Sequence, residues 1–329
     1  MPKHAHRLAF AAFVGTVAAL LVYLEPIVSG EASDFGQVWF SAKALLQGRN
    51  PYDLIGPGRE YPLDFVFFYP LTSSVAILPL GFLSESAATV VFVWISSALL
   101  GWAVTHDGWH RVPMFVSGAF LMAARRGQWS PLLTATYFLP WLGWALAAKP
   151  NIGFAIFAAA RSVVTLKFAI AGGLVLALVA FAIVPTWLGD WVAATSQARH
   201  TQAPVLARGG FVILLVLLRW RRPEARLIVA LACVPHSMYW YDILPLFLAA
   251  STFRESVVFA LITTTGLALE QILIARSTDV MTLYADFNAV IVAVAYLPAV
   301  MMVLRRPNEG GLPSWRGKRK QVDQPAAAA

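Results

Sequence analysis

Apolar residues run along this chain in blocks, with polar residues gathered into the breaks between them. The first block, Leu8–Leu24, approaches the ~20 apolar residues that carry a helix across a bilayer. Further blocks follow at about 66–82, 87–104, 112–124, 129–148, 151–160, 168–185, 205–218, 226–241, 243–253, 256–275 and 286–304. Those at 112–124, 151–160 and 243–253 are too short to cross alone. Such pieces are tolerated at membrane depth as re-entrant or broken helices, where they are buried in protein or line a wet cavity. The pattern predicts an all-α polytopic membrane protein, a bundle of roughly 9–12 transmembrane or re-entrant helices. A cleaved signal peptide is the competing reading of the first block, since a basic start before an apolar run looks the same. The length of the run and the Glu25-Pro26 pair after it favour a retained span. Residues 1–306 read as one transmembrane domain, and 307–329 as a disordered basic tail rich in Ala and Pro.

One polar stretch carries its own period. In SDFGQVWFSAKALLQGRNPYD, residues 33–53, apolar positions fall at Phe35, Val38, Trp39, Ala42, Leu45 and Leu46. That spacing gives one apolar stripe about three turns long. Gly48 supplies a stop, and Asn50-Pro51 prevents resumption. Such a helix suits the membrane interface. Asp34 at its head has two readings. It is an N-cap, paired with Gln37 three residues on, or it is a carboxylate beside a cavity, able to take a proton from a hydroxyl.

Composition supports lipid as the solvent. The chain is 59% hydrophobic and 13% charged, about half the charge of a typical soluble domain. The net charge of +8 is better explained by basic cytoplasmic loops than by nucleic acid, which is not an expected partner. The single Cys233 cannot form an internal disulfide. With the N-terminus inside, strict alternation puts Arg125-Arg126, Arg161, Lys167, the Arg219–Arg226 cluster, Arg254, Arg305-Arg306 and Arg316–Lys320 on the cytoplasmic side. It puts Glu25, Glu31, Asp34, Asp53, Glu60, Asp64, Asp107, Asp190, Asp279 and Asp286 outside. The long connections 25–65 and 186–204 then face outward, which locates any chemistry there. Under the same alternation Gln128 falls inside, unless 112–124 fails to cross or 129–148 is two half-helices.

The stretch Asp34-Phe35, Ala44-Leu45-Leu46, Gly48 and Asn50-Pro51-Tyr52-Asp53 resembles the first outer loop of the family-87 glycosyltransferases. These are membrane enzymes of GT-C architecture that use polyprenyl-phosphate sugars. FFYPLTSSVAILPL (67–80), RGQWSPLL (126–133), LAAKPN (146–151) and PHSMYWYDILPL (235–246) are similar to further motifs of that family, in order. The chain departs from the pattern at Leu71, where a second proline would stand, and in a short Gln128-to-Lys149 interval. The resemblance implies a GT-C-like bundle with an interfacial helix in the first outer loop. It also implies transfer of a hexose, mannose by expectation, from a polyprenyl-phosphate donor to a lipid-linked or glycan acceptor of the cell envelope.

Asp34 matches the family's general base. Transfer from a phosphate leaving group needs that base and cations on the phosphate, through an oxocarbenium-like transition state. Lys149 leads the phosphate-binding candidates, because a lysine between apolar segments is costly in lipid; a snorkelling span end is the alternative. Arg199 and Arg208 are further candidates, each also readable as a solvated loop charge. Gln128, His236, Tyr239, Asp242 and Tyr69 are candidates for sugar or acceptor, against a polar helix start for Gln128 and an aromatic belt for the tyrosines. Glu270 reads as a snorkelling acid. No zinc-like histidine spacing, Asp-x-Asp pair or Gly-rich phosphate loop is present, so no metal, cofactor or nucleotide-sugar donor is expected. A transporter or lipid flippase, or a non-catalytic relative that only binds lipid-linked sugar, is the alternative. Membrane lipids are expected partners in every case.

Overall fold

A computed structural model describes residues 2–29, 33–63, 65–197, 202–235, 239–274 and 287–313. The described residues are helical throughout, with no strand beyond an isolated Ile55–Tyr61 bridge. Five helices are long and apolar enough to cross a membrane: 4–27, 85–104, 163–183, 253–274 and 287–304. The chain is therefore an all-α protein built for a multi-pass membrane setting.

The first helix, α1 (Pro2–Ser29), lies antiparallel to α3 (Glu85–Val104). Small residues let the two backbones approach. A Cβ on Gly101 would sit 3.2 Å from Ala11 Cα, and one on Gly15 would sit 2.9 Å from the Trp94 carbonyl oxygen. At one end Arg7 donates to the Trp102 carbonyl at 3.0 Å and stacks on the Trp102 ring. At the other end Arg125 grips Glu25 with two bonds of 2.6 and 2.8 Å. Arg7 and Glu25 stand 18 residues apart on this helix, which separates these ends by about 27 Å. The bundle thus has a terminal end, marked by Arg7, and an opposite end, marked by Glu25.

Between α1 and α3 the chain stays at the Glu25 end. The predicted helix appears as α2 (Phe35–Leu46), but it is buried on most sides, with Lys43 and Leu46 its exposed residues. Its cover is the 66–82 block, which does not form one spanning helix. Pro70, Pro79 and Gly81 break that block into Leu71–Ala76 and a 3₁₀ turn at Leu78–Phe82. Both pieces lie against α2, joined by Ser41 Oγ to Ser74 Oγ at 2.7 Å and Trp39 Nε1 to the Leu83 carbonyl at 3.1 Å.

This corrects the alternation from residue 83 onward. Arg125 and Arg126 belong to the Glu25 end. Asp107 belongs to the terminal end, where it pairs with Arg111 at 2.9 Å. After α4 (Gly118–Arg125) comes a hairpin of two half-helices, α5 (Ser130–Ala135) and the 3₁₀ arm Pro140–Ala148. At its tip Tyr137 donates to Glu224 at 3.2 Å, and the Arg111 guanidinium lies over Phe138. The chain returns through α6 (Pro150–Ala158) and α7 (Val163–Ile183). It crosses again in the 3₁₀ segment Gly210–Arg219, α8 (Pro223–Cys233), the 3₁₀ segment Trp240–Ala249, α9 (Phe253–Ile274) and the helix 287–304. Arg219 and Arg306 knit the terminal end together by donating to carbonyls of Leu304 and Ala249. The start of the tail is tied there too, since Arg221 N donates to Asn308 at 3.0 Å. Residues 314–329 lie outside the described residues.

Candidate functional site

At the Glu25 end, four breaks in helical structure bring polar side chains together. The first is the start of α2, where Asp34 N donates to the Arg126 carbonyl at 3.0 Å. Gly127 makes that approach possible. Its φ is +64°, and a Cβ there would stand 2.9 Å from Phe35 Cβ. The turn delivers Gln128, 2% exposed, under the head of α2. The second is the loop 65–70, whose Tyr69 carbonyl is held by the Tyr52 hydroxyl at 2.8 Å. The third is the junction between the hairpin's return arm and α6. Lys149, ahead of Pro150, takes an extended conformation there (φ −139°, ψ 89°). The fourth is the first turn of Trp240–Ala249, which carries Asp242, 1% exposed. Trp240 anchors that turn by donating to Glu270 at 2.6 Å.

These side chains form one continuous hydrogen-bonded row. Gln128 Nε2 donates to Asp34 Oδ2 at 2.6 Å. Gln128 Oε1 accepts from Lys149 Nζ at 3.0 Å and from the Tyr69 hydroxyl at 3.3 Å. Lys149 Nζ donates to Asp242 Oδ1 at 2.7 Å and lies 4.5 Å above the Tyr241 ring. The row orients the Gln128 amide unambiguously, with its donor toward the carboxylate and its acceptor toward two donors. The lysine and aspartate form a buried ion pair, and the lysine is further satisfied by Gln128 and the Tyr241 ring.

Asp34 does not cap α2, because its side chain makes no cap bond. Gln37 is buried instead of closing the capping pair, and its Oε1 has no partner among the described residues. Asp34 is half-buried as a residue, and its Oδ1 accepts no bond among the described residues. Burial raises its pKa above the ordinary value. The charges of Arg126 and Lys149 and the Gln128 bond oppose that rise, and the Asp242 charge adds to it. A carboxylate held by one oxygen, with the other unbonded among the described residues, can accept a proton from a hydroxyl.

Five of the nine residues singled out in the sequence meet here: Asp34, Tyr69, Gln128, Lys149 and Asp242. Tyr239 sits at the edge, its ring 5.3 Å from that of Tyr241. Arg208 is exposed and in no bond with the row. Arg199 and His236 lie outside the described residues. Lys149 is already bonded twice, so a phosphate would have to share it with Asp242 and Gln128. Two residues of the site, Arg126 and Glu270, were not assigned to it from sequence. Arg126 is the cation that acts most strongly on Asp34, and it directly precedes the Gly-Gln pair. Tyr241 lies beneath the lysine ammonium. Glu270, an acid inside an apolar helix, supports Trp240 rather than snorkelling. Compared with protein-family models, with curated proteins and with solved structures, the chain matches none.

Proposed function

We propose that this chain is an integral membrane glycosyltransferase that moves a hexose, mannose by expectation, from a polyprenyl-phosphate donor to a hydroxyl of an envelope acceptor. The observation that carries the reading is the 2.6 Å bond from Gln128 to Asp34. It holds a carboxylate at the edge of an apolar bundle by one oxygen and leaves the other for an acceptor hydroxyl. The motif resemblance supports the same assignment, since its Asp, Tyr, Gln, Lys and Asp positions, far apart in sequence, converge. In the reaction Asp34 takes the hydroxyl proton as the acceptor oxygen attacks the anomeric carbon, and the sugar–phosphate bond breaks with inversion. The lipid phosphate departs as an anion, with Arg126 and Lys149 as its nearest cations. The terminal end is the cytoplasmic one on this reading, because Arg7, Arg161, Arg219, Arg221, Arg222, Arg226, Arg305 and Arg306 gather there. The site then faces the outer side of the cell membrane.

The test is turnover of radiolabelled polyprenyl-phosphate mannose by the purified protein in lipid nanodiscs. Wild-type protein releases label into acceptor, and Asp34→Asn lowers the rate about 10³-fold with an unchanged unfolding temperature. Equal rates for the two proteins would remove Asp34 from the chemistry. The buried Lys149–Asp242 pair also suits a transporter; transfer of intact donor across a sealed vesicle, without cleavage, would favour that reading.

A further inference from the structure

α7 ends at Ile183, and after Pro185 the chain forms a helix of nine residues, Trp187–Thr195, at the Glu25 end. The two faces of this helix differ. One packs on the protein: Trp187 and Ala194 are buried, and Asp190 Oδ2 accepts from Asn50 Nδ2 at 3.0 Å and from the Thr186 hydroxyl at 2.7 Å. On that side Trp191 Nε1 donates to the Phe68 carbonyl at 2.9 Å. The next carbonyl, that of Tyr69, is held by the Tyr52 hydroxyl at 2.8 Å. Two aromatic donors on separate segments therefore fix successive carbonyls of the loop that presents Tyr69 to Gln128. The other face is uncovered, with Leu188 44% and Val192 57% exposed one turn apart. Gly189 and Ala193 complete that face, which bears no charge.

What covers it is indicated by the helix before it. α7 is itself almost uncovered by protein along its length, and its exposed Leu174, Leu178 and Phe181 lead up to Pro185. A spanning helix with that surface faces acyl chains. A short amphipathic helix just beyond its end begins where hydrocarbon gives way to headgroups. Tryptophan, present here as Trp187 and Trp191, is enriched at that level. We propose that the Trp187–Thr195 helix lies in the membrane interface with Leu188 and Val192 in lipid, and clamps loop 65–70 so that Trp191 is a positioning residue for Tyr69. The seating in lipid follows from the helix alone, whereas the consequence for turnover rests on the glycosyltransferase reading.

The experiment places nitroxide spin labels on Leu188→Cys, Val192→Cys and, as the aqueous reference on an exposed loop, Glu60→Cys. Each is made in the full-length Cys233→Ser protein in phosphatidylcholine–phosphatidylglycerol nanodiscs. Labels at 188 and 192 collide more with oxygen, which partitions into lipid, than with a nickel chelate, which stays in water; the label at 60 shows the reverse. Labels at 188 and 192 that match the one at 60, or that a second copy or another protein shields from both reagents, overturn the seating. Hydrogen exchange reads the clamp. Trp191→Phe keeps a ring and loses the donor, so exchange at the amides of 65–69 rises about tenfold with an unchanged unfolding temperature. Unaltered exchange overturns the clamp. In turnover, Trp191→Phe lowers kcat/KM about tenfold, and in a Tyr69→Phe background it causes no further loss. Raised exchange with unchanged turnover removes Trp191 as a positioning residue. Raised exchange in a protein whose wild type turns nothing over leaves the clamp standing and counts against the glycosyltransferase reading instead.

Discussion

Lys149 and Asp242 show what a single buried charge demands of its surroundings. With Asp242 1% exposed, removing its partner strands a carboxylate in a dry site. Lys149→Met is expected to destabilise the protein by about 3–5 kcal/mol, whereas the double change Lys149→Met with Asp242→Leu is expected to recover most of that loss. Thermal unfolding of the three variants checks this, and equal losses in the single and double variants would refute it. The proposed base gives a pH prediction. Asp34 must be ionised to accept a proton, and its pKa is raised by burial, so kcat/KM climbs with pH through a value above the ordinary carboxylate range. The Arg126 charge opposes that rise; Arg126→Gln therefore moves the acidic limb to higher pH. A limb that moves to lower pH in this variant would contradict the assignment. At this scale much was legible. Asp34, Gln128, Lys149 and Asp242 interrupt apolar text where lipid makes polar groups expensive, so each stands out singly. Their pairing was not legible, because nothing local to Lys149 indicates that Asp242, 93 positions on, neutralises it.

At the scale of elements, helical periodicity located α2 and the long spans to within a few residues. It failed where an apolar block is not a crossing. The 66–82 and 129–148 blocks read as spans, since a segment buried in protein is as apolar as one facing lipid. Proline and glycine positions carried the missing information: Pro70, Pro79 and Gly81 break the first block, and Pro140 starts the second arm of the hairpin. The N-cap expectation for Asp34 failed for a related reason. A local partner, Gln37, was available, but the fold offered Gln128 across the α2–hairpin contact. The joint between the hairpin and α6 is tight: a Cβ on Gly153 would lie 1.9 Å from the Leu146 carbonyl oxygen. Gly153→Val should therefore displace Lys149 and abolish activity together with thermal stability. Gly189→Ala, where a Cβ meets nothing within 4 Å, should leave both unchanged. Comparable behaviour of the two variants would show that the joint does not set the site.

For the whole molecule, the question is which end each loop faces, and one miscounted block reverses every later assignment. Treating 66–82 as a crossing separates Lys43 from Leu83; the structure puts both at the Glu25 end, where each is exposed. The same correction carries Gln128 to the side of Asp34, so the row can form at all. It also carries Arg125 and Arg126 to the Glu25 end and brings Arg111 and Asp107 to an end that keeps Arg219, Arg221, Arg222, Arg305 and Arg306. Basic residues concentrated at one end set orientation during insertion, and the terminal end stays the basic one in the corrected topology. Single-cysteine reporters distinguish the two maps. In a Cys233→Ser background, Lys43→Cys and Leu83→Cys are expected to react with a membrane-impermeant maleimide from the same face of sealed vesicles. Arg305→Cys is expected to react only from the other face. Labelling of residues 43 and 83 from opposite faces would restore a crossing between them, pull Gln128 away from Asp34 and leave the carboxylate without the partner on which its proposed chemistry depends.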